Sequence, residues 1–127
     1  EARVLADIAR NHIIPAALNY QNRLIENVKG LKEIFGDKEF KTLAKEQLEL
    51  ISDISGNVSQ IKVGVDELLA AKEKAKNTSG SQKQAEEYCN KVIPLFENIR
   101  KASDALEMMV DDELWPMTKY RELLFTR

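Results

Sequence analysis

The stretch FKTLAKEQLELISDISGNVSQIKVGVDEL, residues 40–68, decides the fold. Its apolar-face positions are Phe40, Ala44, Gln47, Ile51, Ile54, Val58, Ile61, Val65 and Leu68. Steps of four and three alternate along this series without a slip. An α-helix stacks residues at those steps on one face, whereas a strand would bury every second residue. The stretch therefore reads as the seam of a long helix packed lengthwise on partners.

Working outward, the same rhythm precedes and follows it. Before it run Ile14, Ala17, Gln21, Leu24, Val28, Leu31 and Phe35, extended toward the start by Val4, Leu5 and Ile8. Gly36-Asp37 breaks this pattern, with Asp37 placed to cap the next helix. After it, Lys76-Asn77-Thr78-Ser79-Gly80 is the clearest loop. Ser81 with Gln84 three residues on has the pattern of a capping box. Ala85, Tyr88, Val92, Leu95, Ile99, Ala102, Leu106 and Met109 then mark a third helix. Trp115-Pro116 closes that helix, because the residue before a proline is pushed out of helical geometry. Thr118 can cap a last short helix.

The predicted helices are thus 1–35, 38–76, 81–113 and 118–125. Long helices with short connections lie antiparallel to their sequence neighbours. At about 1.5 Å rise per residue they make a rod on the order of 50 Å long. The expected fold is all-α: an elongated antiparallel three-helix bundle with a short C-terminal fourth helix. Residues 1–127 read as one such domain. A chain that opens on Glu1 without a Met, already in helical pattern, reads as a fragment of a larger one.

Pro15 and Pro94 both fall inside helical patterns, in the similar contexts NHIIP and NKVIP. Each removes a helical hydrogen bond and crowds the carbonyl four residues earlier, so a kink is expected at each. Counting back from the turns puts both near residues 58–63 of the second helix. That region follows Ser52-Asp53-Ile54-Ser55-Gly56-Asn57, all but Ile54 poor helix formers, and precedes Gly64. Two readings stand side by side: a shared bend at one level, or two prolines tolerated independently.

Composition narrows the functional classes. The chain has 127 residues, 43% hydrophobic and 31% charged, with only five Gly and three Pro. That mix is globular, and the length supports a core without disulfide or metal staples. Nineteen basic against 21 acidic residues give a net charge of −2, which argues against a nucleic-acid binder. No uncharged run approaches the roughly 18 residues a membrane span needs. One cysteine, Cys89, forms no internal disulfide and fits a reducing compartment.

Chemistry is nearly absent. There is no phosphate-binding Gly-rich loop, no His-Glu-x-x-His and no Cys-x-x-Cys. The lone His12 reads as a surface or partly buried helix residue rather than a member of a triad. Cys89, beside the apolar stripe, reads as a small core residue rather than a nucleophile. Asp111-Asp112-Glu113 reads as a solvated helix end rather than a cation site, since three adjacent carboxylates share no helix face. Lys72, Lys74 and Lys76 read as a solvated face. No catalytic, cofactor-binding or metal-ligating residue is assigned.

The tail VDDELWPMTKYRELLF, residues 110–125, is dense in large side chains. Such a segment docks on its own bundle or on a partner, and self-docking is the simpler expectation. Trp115, Tyr120, Arg121, Leu124 and Phe125 are the candidates for a domain or subunit interface. This tail, together with NHIIPAALNYQ at residues 11–21, resembles the C-terminal region of bacterial type III glutamine synthetases. The two strings bracket the chain, and the helical segments between them fit that region in length.

The resemblance implies a parent enzyme that joins ammonia to the glutamate side chain using ATP and a divalent cation such as Mg²⁺. It implies a cytoplasmic, large, double-ringed oligomer whose catalytic residues lie upstream of this segment. No catalytic motif of the family falls on these residues, so the fragment alone is expected to be inactive. Its implied work is structural and its partners the upstream catalytic domain and neighbouring subunits, with no nucleic acid or membrane involved. The alternative is a stand-alone adaptor of the spectrin-repeat kind, binding proteins through an exposed apolar stripe. A bundle that dimerises through its seam is a further alternative, and a self-contained enzyme fits least.

Overall fold

The structure, a computed structural model, describes residues 2–111 and 113–115. It is all-helical, with three helical rods and no strand among the described residues. The first rod comprises α1 (Ala2–Ile8), a π-helical turn (Ala9–Ile13) and α2 (Ile14–Leu43) as far as Gly36. The second begins after Gly36 and continues as α3 (Lys45–Asn77). The third comprises α4 (Ser81–Glu87), a second π-helical turn (Tyr88–Val92) and α5 (Ile93–Met109).

The chain reverses where the pattern breaks. Gly36 has φ 84° and ψ 174°, a conformation essentially restricted to glycine. No side chain was needed to stop the first helix; the backbone itself leaves helical space there. Asp37 pairs with Lys32 at 3.7 Å across the turn, and the Lys32 ammonium lies 5.6 Å from the Phe40 ring centroid. A mild irregularity follows at Ala44 (φ −99°, ψ 14°), but the hydrogen-bond ladder passes through it. Ala44 N–H donates to the Phe40 carbonyl at 2.7 Å, and Leu48 N–H to the Ala44 carbonyl at 2.9 Å.

The first two rods run antiparallel, as their cross-links show. Arg10 reaches Asp66, Gln21 reaches Ile51 and Ser55, and Gln47 reaches Asn27. The third rod reverses again at Gly80 (φ 88°) and lies along the other side of α3, with Gly64 against Ile99. The central element is α3: both other rods pack along it, and they approach each other less closely.

The core follows from this arrangement. Ile54, Ile61, Val65 and Leu68 of α3 are fully buried. They meet Ala6, Ala9, Ile13 and Ala17 from the first rod and Val92, Ile99, Ala102 and Leu106 from the third. Each large aliphatic side chain so buried contributes about 1.5–3 kcal/mol. The small alanines on the first rod let its backbone come close to α3.

Two local expectations need correction. Gly80, not Ser81, is the residue before α4, and Ser81 makes no capping bond. Gln84 instead turns its amide back onto the frayed end of α3, donating to the Thr78 carbonyl at 2.8 Å and the Lys76 carbonyl at 3.3 Å. Those carbonyls are orphans of a helix terminus, so the glutamine caps the preceding helix rather than its own. The third helix ends at Met109 rather than 113, because Val110 turns extended (φ −77°, ψ 141°) to bury its side chain. The predicted helix 118–125 lies outside the described residues.

The prolines produce π-helical turns. Ile14 N–H donates to the Ala9 carbonyl and Ile93 N–H to the Tyr88 carbonyl, each five residues back. Pro15 and Pro94 follow at once, and the flanking dihedrals stay helical. The wider turn spaces each ring from the preceding carbonyls, the clash a proline makes in a regular helix. The two turns do not share one level. Arg10, within the first, meets Asp66, whereas Ile99, well beyond the second, meets Gly64. The second turn therefore lies nearer the Gly80 end of α3, and α3 itself runs unbroken past Gly56 and Gly64.

A π turn absorbs one extra residue, so the helix before it is phased about one residue, roughly 100°, from a plain α extrapolation. That explains the next correction. Ala85 and Tyr88, placed on the apolar stripe by simple counting, are exposed, and so is Cys89. In the first rod Ala6 and Ala9 take the buried face, while Val4 stays 60% exposed.

Candidate functional site

The turn after α5 is built around Asp111. Its Oδ1 accepts the Glu113 N–H at 3.0 Å, and its carbonyl accepts the Leu114 and Trp115 N–H groups at 3.0 and 3.1 Å. Its other oxygen lies 3.9 Å from the Arg23 guanidinium of α2. Asp111 thus folds the chain back through its carbonyl and one carboxylate oxygen, with the other oxygen near the first rod. Trp115 is the result: its ring is buried and joins Leu106 and Val110 in the core. Of the five interface candidates, Trp115 is spent on this domain's own core. Tyr120, Arg121, Leu124 and Phe125 lie outside the described residues.

The remaining chemical candidates do not converge. His12 and Cys89 are exposed, on different rods. Asp111 is committed to its turn, and Asp112 lies outside the described residues. No group of three His, Cys, Asp or Glu side chains among the described residues comes together to hold a metal. Lys74 and Lys76 are exposed, as a solvated face requires, and Lys72 is half-buried.

Two clefts flank α3. One, of about 810 Å³, lies between the first rod and α3 and is lined by Arg3, Asp7, Arg10, Lys72, Glu73 and Lys76 among others. Its charges are of both signs, and Arg10 is already paired with Asp66 at 3.0 Å. The other, of about 700 Å³, lies between α3 and α5 over Gly64 and Ala102, with Val63 and Leu95 at its edges. Neither holds a histidine or cysteine.

Sequence reasoning missed one feature. Ile34, Phe35, Leu43 and Leu48, around the Gly36 turn, are all substantially exposed. Their signal was present: Ile34, Leu43 and Leu48 are apolar residues off the stripe.

A family model described as the glutamine synthetase C-terminal domain matches residues 1–32. A glutamine synthetase of Bacteroides fragilis is 47% identical over all 127 residues. The chain is thus similar to the glutamine synthetase C-terminal domain at its start and to part of a glutamine synthetase along its whole length. A type-3 glutamine synthetase of Dictyostelium discoideum is 28% identical, again along the whole chain. The chain spans 17% of the length of each of these relatives. The family-model match takes in NHIIPAALNYQ and so the first π turn, Pro15 and Gln21. The tail falls outside that match but inside the stretch aligned with both relatives. The type III resemblance read from the two ends is supported.

Proposed function

We propose that this domain is a non-catalytic structural and assembly element of a type III glutamine synthetase. The observation that carries the reading is the 47% identity along the whole chain to one part of a much longer glutamine synthetase. The parent reaction in this reading is the ATP-dependent ligation of ammonia to glutamate. In this reading ATP and Mg²⁺ belong to the parent's catalytic region. The partners are that catalytic region and neighbouring subunits of a cytoplasmic oligomer. No described helix is long and apolar enough to cross a membrane.

In the same reading the domain is an elongated antiparallel three-helix bundle closed by a short helix over 118–125. The antiparallel cross-links and the central position of α3 support the bundle. The exposure of Ile34, Phe35, Leu43 and Leu48 is compatible with a contact role.

The experiment compares the full-length parent enzyme with a form lacking this segment. Oligomer mass is read by light scattering and glutamine formation by a biosynthetic assay. The expected result is loss of assembly, with activity falling alongside it. Unchanged mass and unchanged activity together would overturn the reading.

A further inference from the structure

The third rod is unevenly anchored. Residues 81–91, SQKQAEEYCNK, make up α4 and most of the second π turn, yet all are exposed except the half-buried Glu87. Burial begins abruptly at Val92 and continues through Ile99, Ala102 and Leu106. A helix with no buried face draws little stability from packing, and one shorter than about 12–15 residues is marginal in water by itself.

What closes this segment is local. Gln84 donates its side-chain amide to the Thr78 carbonyl at 2.8 Å and the Lys76 carbonyl at 3.3 Å, and its backbone N–H to the Gly80 carbonyl at 3.0 Å. Among the described residues, the amide bonds of Gln84 are the segment's only side-chain hydrogen bonds. At the other end the helix is already cut. The π turn ends at Val92, and Pro94 stands in the first turn of α5. A proline there lacks only an N–H that a helix start leaves unpaired, and its fixed φ suits a first turn. α5 can therefore begin at Ile93 whether or not residues 81–91 are helical.

The first rod supplies the contrast. It carries the same π turn and proline, but Ala6, Ala9 and Ile13, ahead of Pro15, are buried. The core holds the N-terminal segment of that rod in place and leaves the corresponding segment of the third rod free.

We propose that residues 81–91 are a latch: a helical segment that unfolds as one unit between Gly80 and Pro94 while α3 and α5 stay packed, with Gln84 as its catch. Gly80, at φ 88°, is one hinge and the π turn is the other. Opening returns the Lys76 and Thr78 carbonyls to water and turns the stretch between α3 and α5 into a tether. This end of the domain loosens without disturbing the core. The inference concerns the chain's own motion and stands apart from the assembly role above.

Amide hydrogen exchange on the 127-residue chain tests it. Amides 85–91 are expected to exchange at least about 100-fold faster than those of 96–106, at one common level across the segment. Protection of 85–91 equal to that of 96–106 overturns the proposal. So does protection that rises residue by residue from Ala85 to Lys91, which marks fraying from Gly80 rather than a unit. Gln84→Ala, at an exposed position, is expected to speed exchange of 85–91 about three- to ten-fold while 96–106 stays within about two-fold. Unchanged exchange of 85–91 in this variant, or an acceleration that spreads equally into 96–106, overturns the latch.

Discussion

A methyl group on Gly64 would sit 2.9 Å from Cγ1 of Ile99. Ile99 is fully buried and branched at Cβ, so it has no free rotamer to retreat into. The glycine is what lets α3 and α5 come into contact along the centre of the core. Gly64→Ala is expected to destabilise by about 1–3 kcal/mol through overpacking, less up to about 1 kcal/mol regained as helix propensity. Gly56→Ala, on the same helix with open space around it, should stabilise by about 0.5–1 kcal/mol. Urea unfolding of the two variants reads opposite signs. Two stabilising changes would mean that the close approach at Ile99 relaxes freely.

Gln21 places a polar side chain in the seam between α2 and α3. It is only 9% exposed, and its amide donates to the Ile51 carbonyl at 2.9 Å and to Ser55 Oγ at 2.7 Å. Gln21→Ala loses both bonds and leaves a void, at a cost of about 1–3 kcal/mol. Gln21→Leu should lie within about 1 kcal/mol of the parent, because the exposed Ser55 can turn to water and the leucine fills the seam. The pair separates packing from hydrogen bonding: equal losses in both variants would assign the whole effect to the bonds.

These relationships show what a single sequence carries. The series from Phe40 to Leu68 announced α3 because one unbroken helix preserves its phase from end to end. Gly36 announced the reversal because no other residue suits φ 84°, ψ 174°. The prolines were visible, but their consequence was not: a π turn costs one residue of phase, and counting cannot say where that residue is absorbed. Cys89 and Tyr88 were misplaced for that reason alone. Gln84 was read with Ser81 because the capping-box spacing is local, while its actual partners lie across the turn. Trp115 was legible as a docking residue, but Asp111, which folds it inward, read only as one of three adjacent acids.

The π turn before Pro15 makes a prediction about deletion. Removing Asn11, an exposed residue of that turn, restores α geometry while keeping Ala6 and Ala9 on the buried face. Pro15 then sits in a regular helix and crowds the carbonyl four residues before it, costing about 3 kcal/mol. Adding Pro15→Ala to the deletion removes the clash and returns the missing donor, so most of the loss is expected back. The four proteins form a double-mutant cycle whose coupling is read by chemical denaturation. Additive effects would show that the turn and the proline are unrelated.

Ser103 Oγ is buried without a hydrogen-bond partner among the described residues. A hydroxyl in that position forgoes water and receives nothing in exchange. Ser103→Ala is therefore expected to be neutral or to stabilise by up to about 1 kcal/mol, and alanine is the better helix former. A thermal melt suffices; a lowered midpoint would mean the hydroxyl has a partner in solution.

Gly36 ties stability to local motion. Its conformation is strained for any side chain, although a methyl group there meets nothing within 4 Å. Gly36→Ala thus acts through the backbone alone and should cost about 1–3 kcal/mol. Where that loss appears depends on the uneven core. Residues 54–106 hold all the largest fully buried side chains, whereas the hairpin 22–53 buries only Ala44 and rests otherwise on half-buried contacts. A region so thinly packed opens below the global unfolding free energy. In the variant, exchange across 22–53 should accelerate well before the protection of Ile61, Val65 and Leu68 declines. Exchange that rose equally along the whole chain would show instead that the hairpin and the three-rod core open as one unit.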